Sequence, residues 1–77
     1  MDLQGLVKYI ANNLVEDASQ VSVDVIENAS SITLELRVAQ DDVGRVIGKG
    51  GRIANAIRTL IRVAAAREGK RVNLEIV

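Results

Sequence analysis

The residues whose types and spacing could do chemistry are few, and four of them are consecutive: Gly48-Lys49-Gly50-Gly51. Three glycines in four positions mean that something approaches the main chain closely, or that positive φ is required. The helical pattern that follows begins at Arg52 with no Ser, Thr, Asp or Asn to cap it, so its first amides lack a side-chain partner. Glycines opening onto a helix N-terminus make a site for an anion, and Arg45, Lys49 and Arg52 supply the positive charge. The same residues would also serve as a tight turn between two helices with a solvated lysine. Competing chemistry is scarce. The chain has no His and no Cys, which removes the usual general base, the thiolate and the commonest metal ligands. No catalytic residue, metal site or cofactor is expected. Asp41 and Asp42 are a carboxylate pair, but they sit where a short helix should start, and capping accounts for them.

The anion is not the phosphate of a bound nucleotide. A P-loop reads G-x-x-x-x-G-K-[ST], whereas Gly44 and Gly48 are one spacer too close and Gly50 replaces the magnesium-binding hydroxyl. A strand should precede such a loop, and residues 42–47 read as a helix. The dinucleotide fingerprint G-x-G-x-x-G is absent as well.

With 77 residues, 48% of them hydrophobic, the chain suffices for one small domain with a real core. The formal net charge is zero, yet it is unevenly laid out. Residues 1–42 carry two basic and eight acidic side chains, and residues 43–77 carry eight basic and two acidic. Such asymmetry marks a polyanion-binding face unless the fold interleaves the two halves. Neither a signal peptide nor a run long enough to span a bilayer is visible, so a soluble, cytoplasmic protein is expected.

The elements that must position the loop follow from periodicity. Leu3, Leu6, Val7, Ile10 and Leu14 recur at helical spacing behind Asp2, predicting a capped helix over 3–16. Val21, Val23 and Val25 alternate with polar residues, as do Ile32, Leu34, Leu36 and Val38, predicting a hairpin turned at Asn28-Ala29-Ser30-Ser31. A short helix over 42–47, the glycine loop, a long helix from Arg52 to Arg67 closed by Gly69, and a strand from Val72 to Ile76 complete the chain. The order is α-β-β-α-α-β. A helical crossover makes the last strand parallel to the second, so the sheet order should be 1-2-3, mixed, with helices on one face. The fold class is α+β.

Val46-Ile47-Gly48-Lys49-Gly50-Gly51-Arg52-Ile53 resembles the V-I-G-x-x-G-x-x-I signature of the KH domain, whose loop clamps the backbone of about four single-stranded nucleotides. Ile53 stands one residue early, with Ala54 at the usual apolar place. The element order matches the type II KH fold, making residues 1–77 a single KH domain. The chain is most similar to the small stand-alone bacterial KH-domain RNA-binding proteins of the KhpA (YlqC-type) family. Glu35-Leu36-Arg37-Val38-Ala39, residues 42–49 and the closing segment from Gly69 to Val77 carry that likeness. The resemblance implies single-stranded RNA binding without catalysis, in an RNA chaperone or post-transcriptional regulator. The loop Gly48, Lys49, Gly50 and Gly51 would hold the sugar-phosphate backbone, and Val46, Ile47 and Ile53 would wall a groove for the bases. Arg45 and Arg52 are added from charge and position. Tyr9 is the one aromatic residue, so stacking folds are disfavoured and a low sequence preference is expected.

The long helix suggests a protein partner. Ile53, Ala54, Ala56, Ile57, Leu60, Ile61, Ala64 and Ala65 fill an arc of about 180°, wider than the roughly 100° that one core needs. The small-residue margin Ala54, Ile61 and Ala65, bordered by Arg58, is the expected dimer interface. The resemblance implies a homodimer, a heterodimer with a larger KH-containing protein, KhpB (Jag-like), or both. A protein-pairing adaptor with incidental RNA contact is the alternative function.

Overall fold

The computed structural model describes residues 2–77. Helix α1 spans Leu3–Leu14 and strands β1 and β2 span Ser22–Glu27 and Ser31–Arg37. Helices α2 and α3 span Val43–Ile47 and Arg52–Ala66, and β3 spans Arg71–Ile76. Short 3₁₀ turns lie at Ala18–Gln20, Gln40–Asp42 and Lys49–Gly51. The sheet order is β1-β2-β3, with β1 and β2 antiparallel and β2 and β3 parallel. The predicted class, order and sheet topology are therefore those observed.

Alternation decides which face is covered. Val23, Ile32, Leu34, Leu36, Val72 and Leu74 point inward and are buried beneath Leu3, Val7 and Ala11 of α1 and Ile57, Ile61, Ala64 and Ala65 of α3. Asp2 caps α1, its carboxylate accepting the Gly5 N–H at 2.9 Å. Gly69 closes α3 at φ 72°, with its own N–H donating to Ala66 O and that of Lys70 to Ala65 O. That pair of bonds satisfies carbonyls the helix leaves open.

Two local expectations are corrected. Helix α1 stops at Leu14 because Val15 is extended, at φ −89° and ψ 160°. Asp42 is the cause. Its side chain makes no capping bond to α2. It is nearly buried and accepts the Glu16 and Asp17 N–H groups at 3.1 Å each. A carboxylate reaching across from the α2 entry thus holds the residues that would have prolonged α1. Arg45 completes the tie, donating through Nε to Asp42 at 3.0 Å and through Nη2 to Glu16 at 2.8 Å. These bonds, the Glu16 amide first, hold the Asp42 carboxyl below its ordinary value against the opposing effect of burial.

The charge asymmetry survives folding as an asymmetry between layers. Neither α1 nor α3 contains an acidic residue. On the open face of the sheet Asp24, Glu35 and Glu75 stand side by side, one per strand. Among the described residues, Arg37, 3.9 Å from Asp24, makes the one ion pair to that row.

Candidate nucleic-acid interface

The loop between α2 and α3 reverses the chain through three positive-φ glycines that play different parts. Gly48, at φ 76° and ψ 169°, lies where a side chain is strained, and a Cβ there would stand 2.6 Å from Ile53 Cγ1. Ile53 therefore packs over the loop base, and Gly48 is the space that admits it. The early placement of this isoleucine is explained by that contact. Gly50, at φ 65° and ψ 17°, has nothing within 4 Å of a Cβ position. Gly51, at φ 80°, occupies the cap of α3, and no side chain caps that helix end. The loop top is open, and the first turn of α3 presents its positive end toward it.

The cations expected there divide. Lys49 and Arg52 are exposed and in no ion pair among the described residues. Arg45 is committed to Glu16 and Asp42, so it braces α2 from behind rather than adding free charge. The expected groove wall divides as well. Ile47 and Ile53 are half-buried, but Val46 has no exposed surface and belongs to the core. It supports the wall without being able to touch a ligand. Sequence periodicity could not separate these cases, because both hydrophobic roles recur at the same helical spacing.

The expected dimer margin is overturned. Ala54, Ile61 and Ala65 are 2%, 1% and 0% exposed, the last two within the core cluster with the sheet and α1, so none of the three is free to meet a partner. Arg58 is half-buried too, donating to Asn55 Oδ1 and to the Leu74 carbonyl. The surplus apolar surface is the opposite margin: Ala56 is exposed, and Leu60 and Val63 are each 55% exposed. With Leu6 and Ala64 the last two line a shallow apolar groove between α1 and α3, ending at Arg67. The arc was wide enough to show an excess, but its centre was set by where α1 and the sheet lie, which the helix alone does not encode.

No helix among the described residues is long and apolar enough to cross a membrane. No group of three or more carboxylates among them is arranged to hold a metal ion.

An α-β-β-α-α-β domain whose second and third helices are joined by an open, lysine-bearing G-x-x-G loop is a type II KH domain. The family model described as KhpA/KhpB, KH domain, matches residues 4–76. The chain belongs to that family, which is not known as enzymatic. Among similar proteins, the RNA-binding protein KhpA of Caldanaerobacter subterraneus is 54% identical over 72 residues, 94% of this chain and 96% of that protein. The RNA-binding protein KhpA of Borreliella burgdorferi is 51% identical over 71 residues, 92% of this chain and 87% of that one. That of Aquifex aeolicus is 43% identical over 74 residues, 96% and 94% of the two chains. No solved structure gives a significant match.

Proposed function

We propose that this chain is an RNA-binding protein, a single type II KH domain acting in the cytoplasm as an RNA chaperone or post-transcriptional regulator. The open loop carries this reading. Gly50 leaves room for a sugar-phosphate backbone, Lys49 offers a charge in no ion pair among the described residues, and the start of α3, without a side-chain cap, offers main-chain donors. Arg52 adds a second cation that is in no ion pair among the described residues, while Ile47 and Ile53 give the bases an apolar wall. Relatives named RNA-binding protein KhpA, similar over nearly their whole length, favour the same substrate. Neutral overall charge keeps long-range attraction to polyanions weak, so docking depends on the loop.

The test is Lys49→Asp with Gly50→Asp. Aspartate tolerates left-handed backbone better than most residues, and nothing crowds Gly50, so the fold is kept. Crosslinking in cells followed by sequencing of bound RNA should recover transcripts with the wild type and lose them with the double variant. Equal recovery would sink the proposal.

The exposed pair Leu60 and Val63 favours a second activity beside the first, protein pairing through the α1–α3 groove. A second copy, or a KhpB-type (Jag-like) partner, would cover this face. Two linked weak RNA sites would then gain avidity.

A further inference from the structure

Strand β1 forms one edge of the sheet, since it pairs with β2 alone. The Asn28 N–H donates to the Ser31 carbonyl at 2.8 Å, in register with the β1–β2 ladder. Bonded and outward-turned residues alternate along an antiparallel strand. Ser22, Asp24 and Ile26 therefore bond to β2, while Val23, Val25 and Glu27 turn their main chain away from it. Gln4 Nε2 of α1 donates to the Val23 carbonyl at 2.6 Å. The amides and carbonyls of Val25 and Glu27 have no partner among the described residues.

Natural sheet edges are ordinarily blunted by lysine, proline, a bulge or a covering segment. Strand β1 has neither Lys nor Pro, and its register with β2 runs without a bulge. Val25 and Ile26, on opposite faces of it, are 40% and 51% exposed. Beside this edge a cleft of about 320 Å³ opens between the start of α1, the hairpin and the segment after α3. The buried side chains of Leu3 and Ile32 give it an apolar floor, and Val25 gives it an apolar lip. Its rim carries Asp2, Glu27 and Glu68 against Lys70, which is bonded to Glu27 at 2.6 Å. Three carboxylates against one amine leave the rim acidic by two charges.

We infer that the Val25–Glu27 edge docks a short extended segment of a basic protein, added to β1 as a fourth strand. Main-chain bonds to Val25 and Glu27 hold the segment, and the cleft selects its side chains. On the face toward the helices, an aliphatic side chain beside Val25 fills the cleft and a Lys or Arg beside Glu27 meets the acidic rim. On the other face a β-branched residue packs on Ile26. Gln4 at one end and the turn after Asn28 at the other limit the added strand to about four residues. A second copy placed here would set two acidic rims against each other, and RNA carries the same sign of charge as the rim. The site shares no residue with the 48–51 loop or with the α1–α3 groove, so it stands apart from the RNA reading.

The probe is the peptide acetyl-Thr-Lys-Val-Leu-Lys-Thr-amide, with a counterpart that carries Glu in place of both Lys. Each is titrated into the ¹⁵N-labelled full chain and followed by amide chemical shifts. The basic probe should shift the Val25 and Glu27 amides saturably and leave those of Gly50 and Gly51 in place. Its Kd should be about ten-fold lower than that of the acidic counterpart. Glu27→Lys should weaken the basic probe and strengthen the acidic one, each by about three-fold. Val25→Pro deletes an amide that β2 does not use, so it should abolish binding with the far-UV circular dichroism unchanged. If that variant does not fold, the charge swap at Glu27 decides. Unshifted Val25 and Glu27 amides, equal affinity for the two probes, or indifference to Glu27→Lys overturns the inference. Self-association of the wild type that Val25→Pro removes would assign the edge to a second copy and overturn it as well.

Discussion

Gly48 and Gly50 have nearly the same φ, yet replacing each by alanine should give very different results. At Gly48 the backbone combination φ 76°, ψ 169° costs a non-glycine residue about 1–3 kcal/mol. The new Cβ would also stand 2.6 Å from Ile53 Cγ1 and 3.0 Å from its Cβ and Cδ1. Forcing a methyl into such a contact costs a further 1–3 kcal/mol or so. The total, about 2–6 kcal/mol, is a large share of the roughly 4–12 kcal/mol that a chain of 77 residues possesses. At Gly50 only ordinary left-handed strain of about 1–2 kcal/mol applies, partly offset by the stiffer unfolded chain. Urea titration followed by far-UV circular dichroism measures both, because the chain has no Trp. Shortening Ile53 to Ala should recover part of the Gly48→Ala loss, giving a coupling of about 1–2 kcal/mol in a double-mutant cycle. Equal losses at Gly48 and Gly50, or no coupling to Ile53, would refute the assignment of Gly48 to packing and Gly50 to ligand access.

Glu35 lies between Asp24 and Glu75 on the open face, so Glu35→Lys should stabilise the fold by about 0.5–1 kcal/mol, read as a higher Tm that salt diminishes. A lower Tm would show that the carboxylate row is not repulsive. Leu60→Asp should leave the Tm nearly unchanged and abolish any self-association seen by sedimentation, whereas Ile61→Asp should fail to fold. The Asp42 carboxyl has a lowered pKa in the fold, so its contribution is complete above the unfolded value near about 3.9 and fades as the pH falls through the folded value. Stability curves against pH should therefore steepen below about pH 4 in the wild type and flatten there in Asp42→Asn.

Much of this was legible in the residues. Alternation in the three strands and a glycine after α3 specified elements and topology, because a parallel β2–β3 pair joined by two helices has few arrangements. The loop was legible as a candidate because three glycines in four positions call for positive φ or close approach, and Gly48, Gly50 and Gly51 all have positive φ. What the sequence concealed lies in tertiary pairing. Asp42 looked like a cap, since nothing local shows that Glu16 and Asp17 will lie beside it. Arg45 looked like a free cation for the same reason, because its partner Glu16 is distant in the chain. The buried side of α3 was misplaced, since a helix with apolar residues over half its circumference does not reveal which edge its neighbours cover. The Arg58 bridge to β3 carries no local signal at all.

Salt dependence of binding to a short single-stranded RNA tests the central claim most directly. A loop that holds three to four phosphates through Lys49, Arg52 and main-chain amides predicts a log–log slope of roughly −2 to −3. Lys49→Asp with Gly50→Asp should reduce the affinity to background with the fold intact. A slope near zero, or affinity unchanged by the double substitution, would contradict backbone binding by the 48–51 loop.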